Sequence, residues 1–201
     1  MADGSAMKNS AITLNGPVVT LEPLRRRHLA GLGRAARGTD IWHYMAADLT
    51  AKDSLEPWYA EARRFEKAAQ QLPFAIRLAA DDTLVGSTRY LNIAAEHRRL
   101  EIGWTWLAPS QWSGRVNAAA KLLLFDHAFE TLNAQRVELR TDALNQRARR
   151  AILKLGATEE DLLRRHMVMP GGGVRDTVQF AVIDENWPAV RAVLLARIAA
   201  P

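Results

Sequence analysis

The residues between Ser110 and Asn117 are the ones whose types and spacing could do chemistry. Ser110, Gln111, Ser113, Gly114, Arg115 and Asn117 crowd a turn between an apolar strand and an apolar helix. Such a turn offers backbone N–H groups, and the positive end of a helix, to a phosphate. Further along, Asn145 is followed by Arg147, Arg149 and Arg150, which bring more positive charge close in sequence. Together these groups suit a bulky phosphorylated cofactor. The same turn would also serve as an ordinary polar loop capping a helix.

The elements that must position these groups follow from period and punctuation. Residues 18–24 (VVTLEPL) read as a strand and 28–37 as a helix with Leu29 and Leu32 on one face. Residues 39–53 read as a loop carrying Trp42, His43, Tyr44 and Met45, and Ser54 as the N-cap of the helix that follows. Two strands, 74–79 and 84–93, pair across Asp81-Asp82. Next come a strand over 99–107, a central helix over 116–132, a strand over 136–140 and a helix over 145–155 ended by Gly156. Strands 162–169 and 175–183 make a hairpin around Pro170-Gly171-Gly172-Gly173, and 187–199 is a closing helix. With no repeat and no linker, residues 16–201 read as a single mixed α/β domain behind a flexible leader at 1–15.

Composition removes several classes of function. The chain of 201 residues has 48% hydrophobic and 24% charged residues, ordinary for a soluble globular protein. No window approaches the apolar run of a membrane span, and MADGSAMKNSAI lacks the layout of a secretory signal. The absence of cysteine excludes disulfides and a catalytic thiol, and fits a cytoplasmic protein. The net charge of +5 is spread among acids (RRFEK, EHRRLE, EEDLLRRH) and not gathered into a stripe, which speaks against a nucleic-acid partner. No H-x-x-x-H, H-x-H or cysteine pair suggests a metal, and no G-x-S-x-G suggests a serine hydrolase.

The order of motifs carries more. EIGWTWLAPSQW, then NAAAKLLLFDHAFE, then RVELRTDALN and AILKLGA resemble the GNAT acyltransferases, and more narrowly their Rim-type branch, which acetylates protein N-terminal amines and various small amines. The resemblance covers roughly residues 18–183. It implies a GNAT fold of the α/β (α+β) class: one mixed, largely antiparallel central sheet flanked by helices on both faces. It implies acetyl-CoA as cofactor, its pyrophosphate on the backbone of Gln111, Trp112, Ser113, Gly114, Arg115, Val116 and Asn117. In one register of the family's Q/R-x-x-G-x-G/A pattern Val116 stands at the last position; aligned on the branch's W-x-x-x-x-N pattern through Trp112 and Asn117, Arg115 stands where glycine is usual. Trp106 and Leu107 would offer main chain to the pantetheine arm, and Arg147 and Arg150 would approach the 3′-phosphate.

Acyl transfer to an amine needs a base for the amine, donors for the carbonyl oxygen, and a proton or positive charge for the departing thiolate. The resemblance implies Glu101 as base, the Leu107 N–H as oxyanion donor, and Asn145 beside the pantetheine or a catalytic water. Glu101 alone could equally be a strand-end carboxylate paired with Arg98 or Arg99, and Asn145 an N-cap. The family's usual acids, a Ser or a Tyr, fall at Ala148 and Ile152, neither of which can give a proton. Trp42, His43, Tyr44 and Trp104 would line the substrate pocket. The expected activity is N-acetyl transfer to a primary amine by direct attack, on a protein N-terminus or a small molecule. The alternatives are a CoA-binding or regulatory protein of the same fold that has lost catalysis and, third, a nucleic-acid module. The sequence leaves open a homodimer and the identity of the amine.

Overall fold

Leu72, Phe74 and Ile76 alternate with Pro73, Ala75 and Arg77, a period of two that gives a strand with two working faces. The structure, a computed structural model, describes residues 11–51 and 53–200. Its strands are β1 (Leu14–Asn15), β2 (Val19–Pro23), β3 (Leu72–Leu78), β4 (Leu84–Ala94), β5 (Arg99–Leu107), β6 (Arg136–Asp142), β7 (Thr158–Val168) and β8 (Val174–Ile183). They form one sheet in the order β1-β2-β3-β4-β5-β6-β8-β7. Every neighbouring pair is antiparallel except β5 with β6. The helices are α1 (Leu29–Ala35), α2 (Leu55–Lys67), α3 (Val116–Asp126), α4 (Gln146–Leu153) and α5 (Trp187–Ala199).

Each face of the sheet buries its own core. Phe74, Ile76, Leu100, Val137 and Phe180 pack with Leu124 and Phe125 of α3 and with Trp187 and Leu194 of α5. Ala75 and Trp106 face the other way, against Leu32 of α1, Trp58 of α2 and the intervening Trp42. Side chains of this size stabilise by roughly 1.5–3 kcal/mol each when fully buried, so the two layers fix the sheet between them.

Two irregularities shape β5. In its ladder with β4, Ser87 faces Trp106 and Arg89 faces Gly103, so Trp104 and Thr105 together oppose Thr88. This bulge puts Trp104 in the left-handed region at φ 50°. Arg89, wholly buried, braces it from below, its guanidinium over the rings of Trp104 and Trp58 at 4.8 and 5.3 Å. The second irregularity is that β5 and β6 pair only from Arg99↔Arg136 to Glu101↔Glu138, where their register ends.

Some expectations change. The leader expected at 1–15 lies outside the described residues up to residue 10, but Leu14 and Asn15 pair with Leu21 and Thr20. Ser54 occupies the N-cap position of α2 without capping it: its hydroxyl donates to the Ala51 carbonyl at 2.6 Å. The central helix is α-helical only to Asp126, and His127–Thr131 continues it as a π-turn. Polar residues hid the start of β7, since Thr158 to Asp161 lack the apolar alternation that marks a half-buried strand.

Candidate active site

Beyond Glu101, β5 and β6 supply opposite walls of a cavity of about 770 Å³. Glu101 to Leu107 line one wall and Leu139 to Thr141 the other, with Asn117 and Lys121 from α3 and Asn145, Arg147 and Arg150 near α4. The Ala108 N–H donates to Val85 across the β4 ladder at 2.8 Å. Strand alternation therefore turns the Leu107 N–H to the opposite edge, toward the opening. The Leu107 carbonyl, on that same edge, accepts from Trp112 Nε1 at 3.0 Å.

Glu101 stands at the point where the strands part. It is 5% exposed, accepts a hydrogen bond from Asn92 Nδ2 at 2.8 Å, and lies 3.5 Å from the Arg140 guanidinium. Its ion-pair partner is thus Arg140 on β6, and not Arg98 or Arg99. Burial raises its pKa above the usual carboxylate value, with Arg140 and the Asn92 hydrogen bond offsetting only part of the effect. Glu138, equally buried, holds Arg140 Nη2 at 3.1 Å and so fixes the cation beside Glu101. A buried carboxylate with a raised pKa at the apex of a cleft is a better proton acceptor than an exposed one.

The turn between β5 and α3 closes the other end of the cavity. Gln111, Trp112, Ser113, Gly114 and Asn117 line it. The left-handed residue is Ser113, at φ 63°, and neither Gly114 nor Arg115. The N-terminus of α3 has no side-chain cap, so its first-turn N–H groups remain available to an anion. Arg147 lies over the Trp112 ring at 3.5 Å from its centroid, which ties α4 to the turn. Asn145 caps α4 by accepting from the Ala148 N–H at 3.0 Å, and lines the cavity as well.

Several residues fall elsewhere. Val116 is buried in the core beneath the turn, and exposed Arg115 does not line the cavity. Trp42 is 5% exposed, its Nε1 donating to Ala36, with Trp106 packed against it at 5.2 Å between ring centroids. Trp42 and His43 line a separate cavity of about 350 Å³; Tyr44 borders both cavities, and Trp104 borders the large one. Trp106 belongs to the large cavity's wall and to the core beneath α1 and α2. The structure also brings in Lys121, Arg140, Arg175 and Thr177, which sequence reading left without a role, together with the titratable His166. Lys121 had a signal, a lone cation inside the apolar run AAAKLLLF; the others reach the cavity only through strand pairing.

The site is thus a sheet split beside a buried carboxylate, with an uncapped helix N-terminus at the far end. The chain belongs to the GNAT acetyltransferase family: residues 19–158 match its profile, described as "Acetyltransferase (GNAT) domain". A GCN5-related N-acetyltransferase from Brucella melitensis is 27% identical with a TM-score of 0.87, over 94% of this chain and 86% of that one. A crystal structure of a putative acetyltransferase from T. thermophilus is 32% identical with a TM-score of 0.81, over 92% and 96%. RimJ of Mycobacterium smegmatis, solved with CoA-disulfide, is 27% identical with a TM-score of 0.76, over 94% and 95%. A Bacillus subtilis protein, the uncharacterized N-acetyltransferase YoaA, is 27% identical over 44% of this chain. That match spans about half the curated relative's length (49%). Among the described residues no helix is long and apolar enough to cross a membrane.

Proposed function

We propose that the protein is an acetyl-CoA-dependent N-acetyltransferase that moves an acetyl group to a primary amine, on a protein N-terminus or a small molecule, by direct attack. The parting of β5 and β6 at Glu101 carries this reading. It leaves an unpaired strand edge to receive an extended, amide-bearing arm, which is strand addition by a ligand. The edge leads from the buried carboxylate to the turn at 111–114 and the uncapped α3, with the cations Arg147 and Arg150 beside it. These residues fit an arm ending in a pyrophosphate. The CoA-disulfide bound by the RimJ neighbour supports the same ligand class here.

In the reaction, Glu101 takes the proton of the attacking amine, directly or through water, and its raised pKa makes it a stronger base than an exposed carboxylate. The Leu107 N–H donates to the carbonyl oxygen as charge develops. No side chain need act as nucleophile, so the lack of cysteine is no obstacle. A catalytically silent CoA-binding protein is the second reading, favoured by Ala148 and Ile152 lining the cavity where α4 would hold a hydroxyl. Turnover decides between them: acetyl-CoA with a panel of free peptides and small amines, read as thiol release and acetylated product. Product from any free amine, and none from N-blocked peptides, is expected. Acetyl-CoA binding without product from any amine would overturn the reading.

A further inference from the structure

Lys121 is a buried cation on the cavity wall that the chemistry above leaves unused. It follows Asn117 by one helical turn, so both side chains share the face of α3 that borders the cavity. It is 5% exposed. Its Nζ donates to Thr105 Oγ1 at 3.0 Å, and that oxygen lies 2.8 Å from Thr88 Oγ1. Among the described residues no carboxylate forms an ion pair with it. Its other ammonium protons therefore have no acceptor among those residues and are left to the cavity. The titratable groups that border the same cavity from the strands are Glu101 on β5, Arg140 on β6, His166 on β7 and Arg175 on β8. Of these Glu101 alone acts on it electrically, drawing its pKa back upward.

An ammonium buried without a paired carboxylate is costly, and the neighbouring positions of α3 hold Leu122, Leu123 and Leu124 at no such cost. Thr105, which holds it, lies on the unpaired stretch of β5 along which a thioester would run. Resting on the reading of this cavity as an acetyl-CoA site, we propose that Lys121 is the proton donor to the departing thiolate, the role that Ala148 and Ile152 cannot fill. The amine nitrogen forms its bond to the acetyl carbon while Glu101 takes one amine proton. The carbon–sulfur bond then breaks, its electron pair goes to sulfur, and sulfur receives a proton from the Lys121 ammonium. Glu101 and Lys121 border the same cavity, so the proton gained by one restores the other and the cycle balances. Burial pulls Lys121 down to about 7, which leaves charged and neutral forms both populated near neutral pH.

Bound CoA gives a test that needs no acceptor amine. Because the chain has no cysteine, the ultraviolet thiolate band of the CoA complex, measured against the desulfo-CoA complex, belongs to the ligand's sulfur. Wild type is expected to form thiolate about one pH unit or more below Lys121→Met, with Lys121→Arg shifted back toward wild type. In turnover, Lys121→Met should lose on the order of a hundredfold in kcat with little change in KM for acetyl-CoA. The fall in kcat on the alkaline side, where the ammonium is lost, should vanish with it. Identical thiolate titrations would overturn the proposal, as would a kcat loss matched by an equal loss of CoA affinity. Failure of wild type to bind CoA would overturn both readings. A thiolate shift without any acetylated amine would overturn only the acceptor reading and leave the pairing of Lys121 with sulfur in place.

Discussion

Glu101 and Lys121 are a carboxylate and an ammonium buried around one cavity, and burial moves both toward neutral titration from opposite sides. Glu101→Gln keeps the Asn92 contact and the shape but cannot accept a proton. It should lower kcat by roughly 10²–10⁴-fold at neutral pH while CoA affinity, measured by calorimetry, stays within about threefold. Wild-type rate should rise with pH through the raised Glu101 pKa, since the ionised form is the base, and the variant should lose that limb. Lys121 also carries a stability consequence. Its folded pKa of about 7 lies below the ordinary lysine value, so the unfolded chain holds the extra proton between the two. The destabilisation is full below about pH 7 and fades as pH rises from there toward about 10.4. Lys121→Met should therefore raise Tm, and by more at about pH 6 than at about pH 9. An equal Tm difference at both would mean that the lysine is not buried as a cation.

At the scale of elements, function depends on how β5 is held on one side and released on the other. Gly86 of β4 lies so close to β5 that an added Cβ would come 2.1 Å from the Trp106 carbonyl oxygen. Gly86→Ala must push the strands apart next to the Trp104 bulge and should destabilise by about 1–3 kcal/mol in urea unfolding. Its effect on kcat should exceed what that stability loss explains, because the bulge positions Leu107. Asn145 works at the start of α4. Asn145→Ala should cost about 1 kcal/mol through the lost cap alone. Asn145→Ser, which restores a cap, should recover the stability; any kcat deficit that persists in the Ser variant measures what the amide does in the cavity.

For the molecule as a whole, the order and kinds of strands and helices from Val19 onward were legible because apolar period, Gly156 and the Pro170–Gly173 turn are local signals, whereas β1 falls in the stretch read as a leader. The strand over Arg99–Leu107 and the helix over Trp187–Ala199 have the extents expected from sequence. Four kinds of feature were not legible. The bulge at Trp104 and the parting of β5 from β6 are properties of pairing between strands, which one strand's residues do not encode. The partnership of Glu101 with Arg140 joins two strands far apart in the chain, so the neighbouring Arg98 and Arg99 were the wrong candidates. The left-handed residue in the turn is Ser113, where a reading built on glycine looks to Gly114. Trp42, placed by sequence at the substrate entrance, is held in the core by its hydrogen bond to Ala36 and its packing on Trp106. All of these converge on one physical claim, that the split sheet is a seat for acetyl-CoA. Calorimetric titration of wild type with acetyl-CoA, desulfo-CoA and ATP tests it most directly. Saturable one-site binding of the first two, with ATP far weaker, is the expected result, because the free β5 edge recognises the pantetheine arm that ATP lacks. No heat from acetyl-CoA, or equal affinity for ATP, would contradict it.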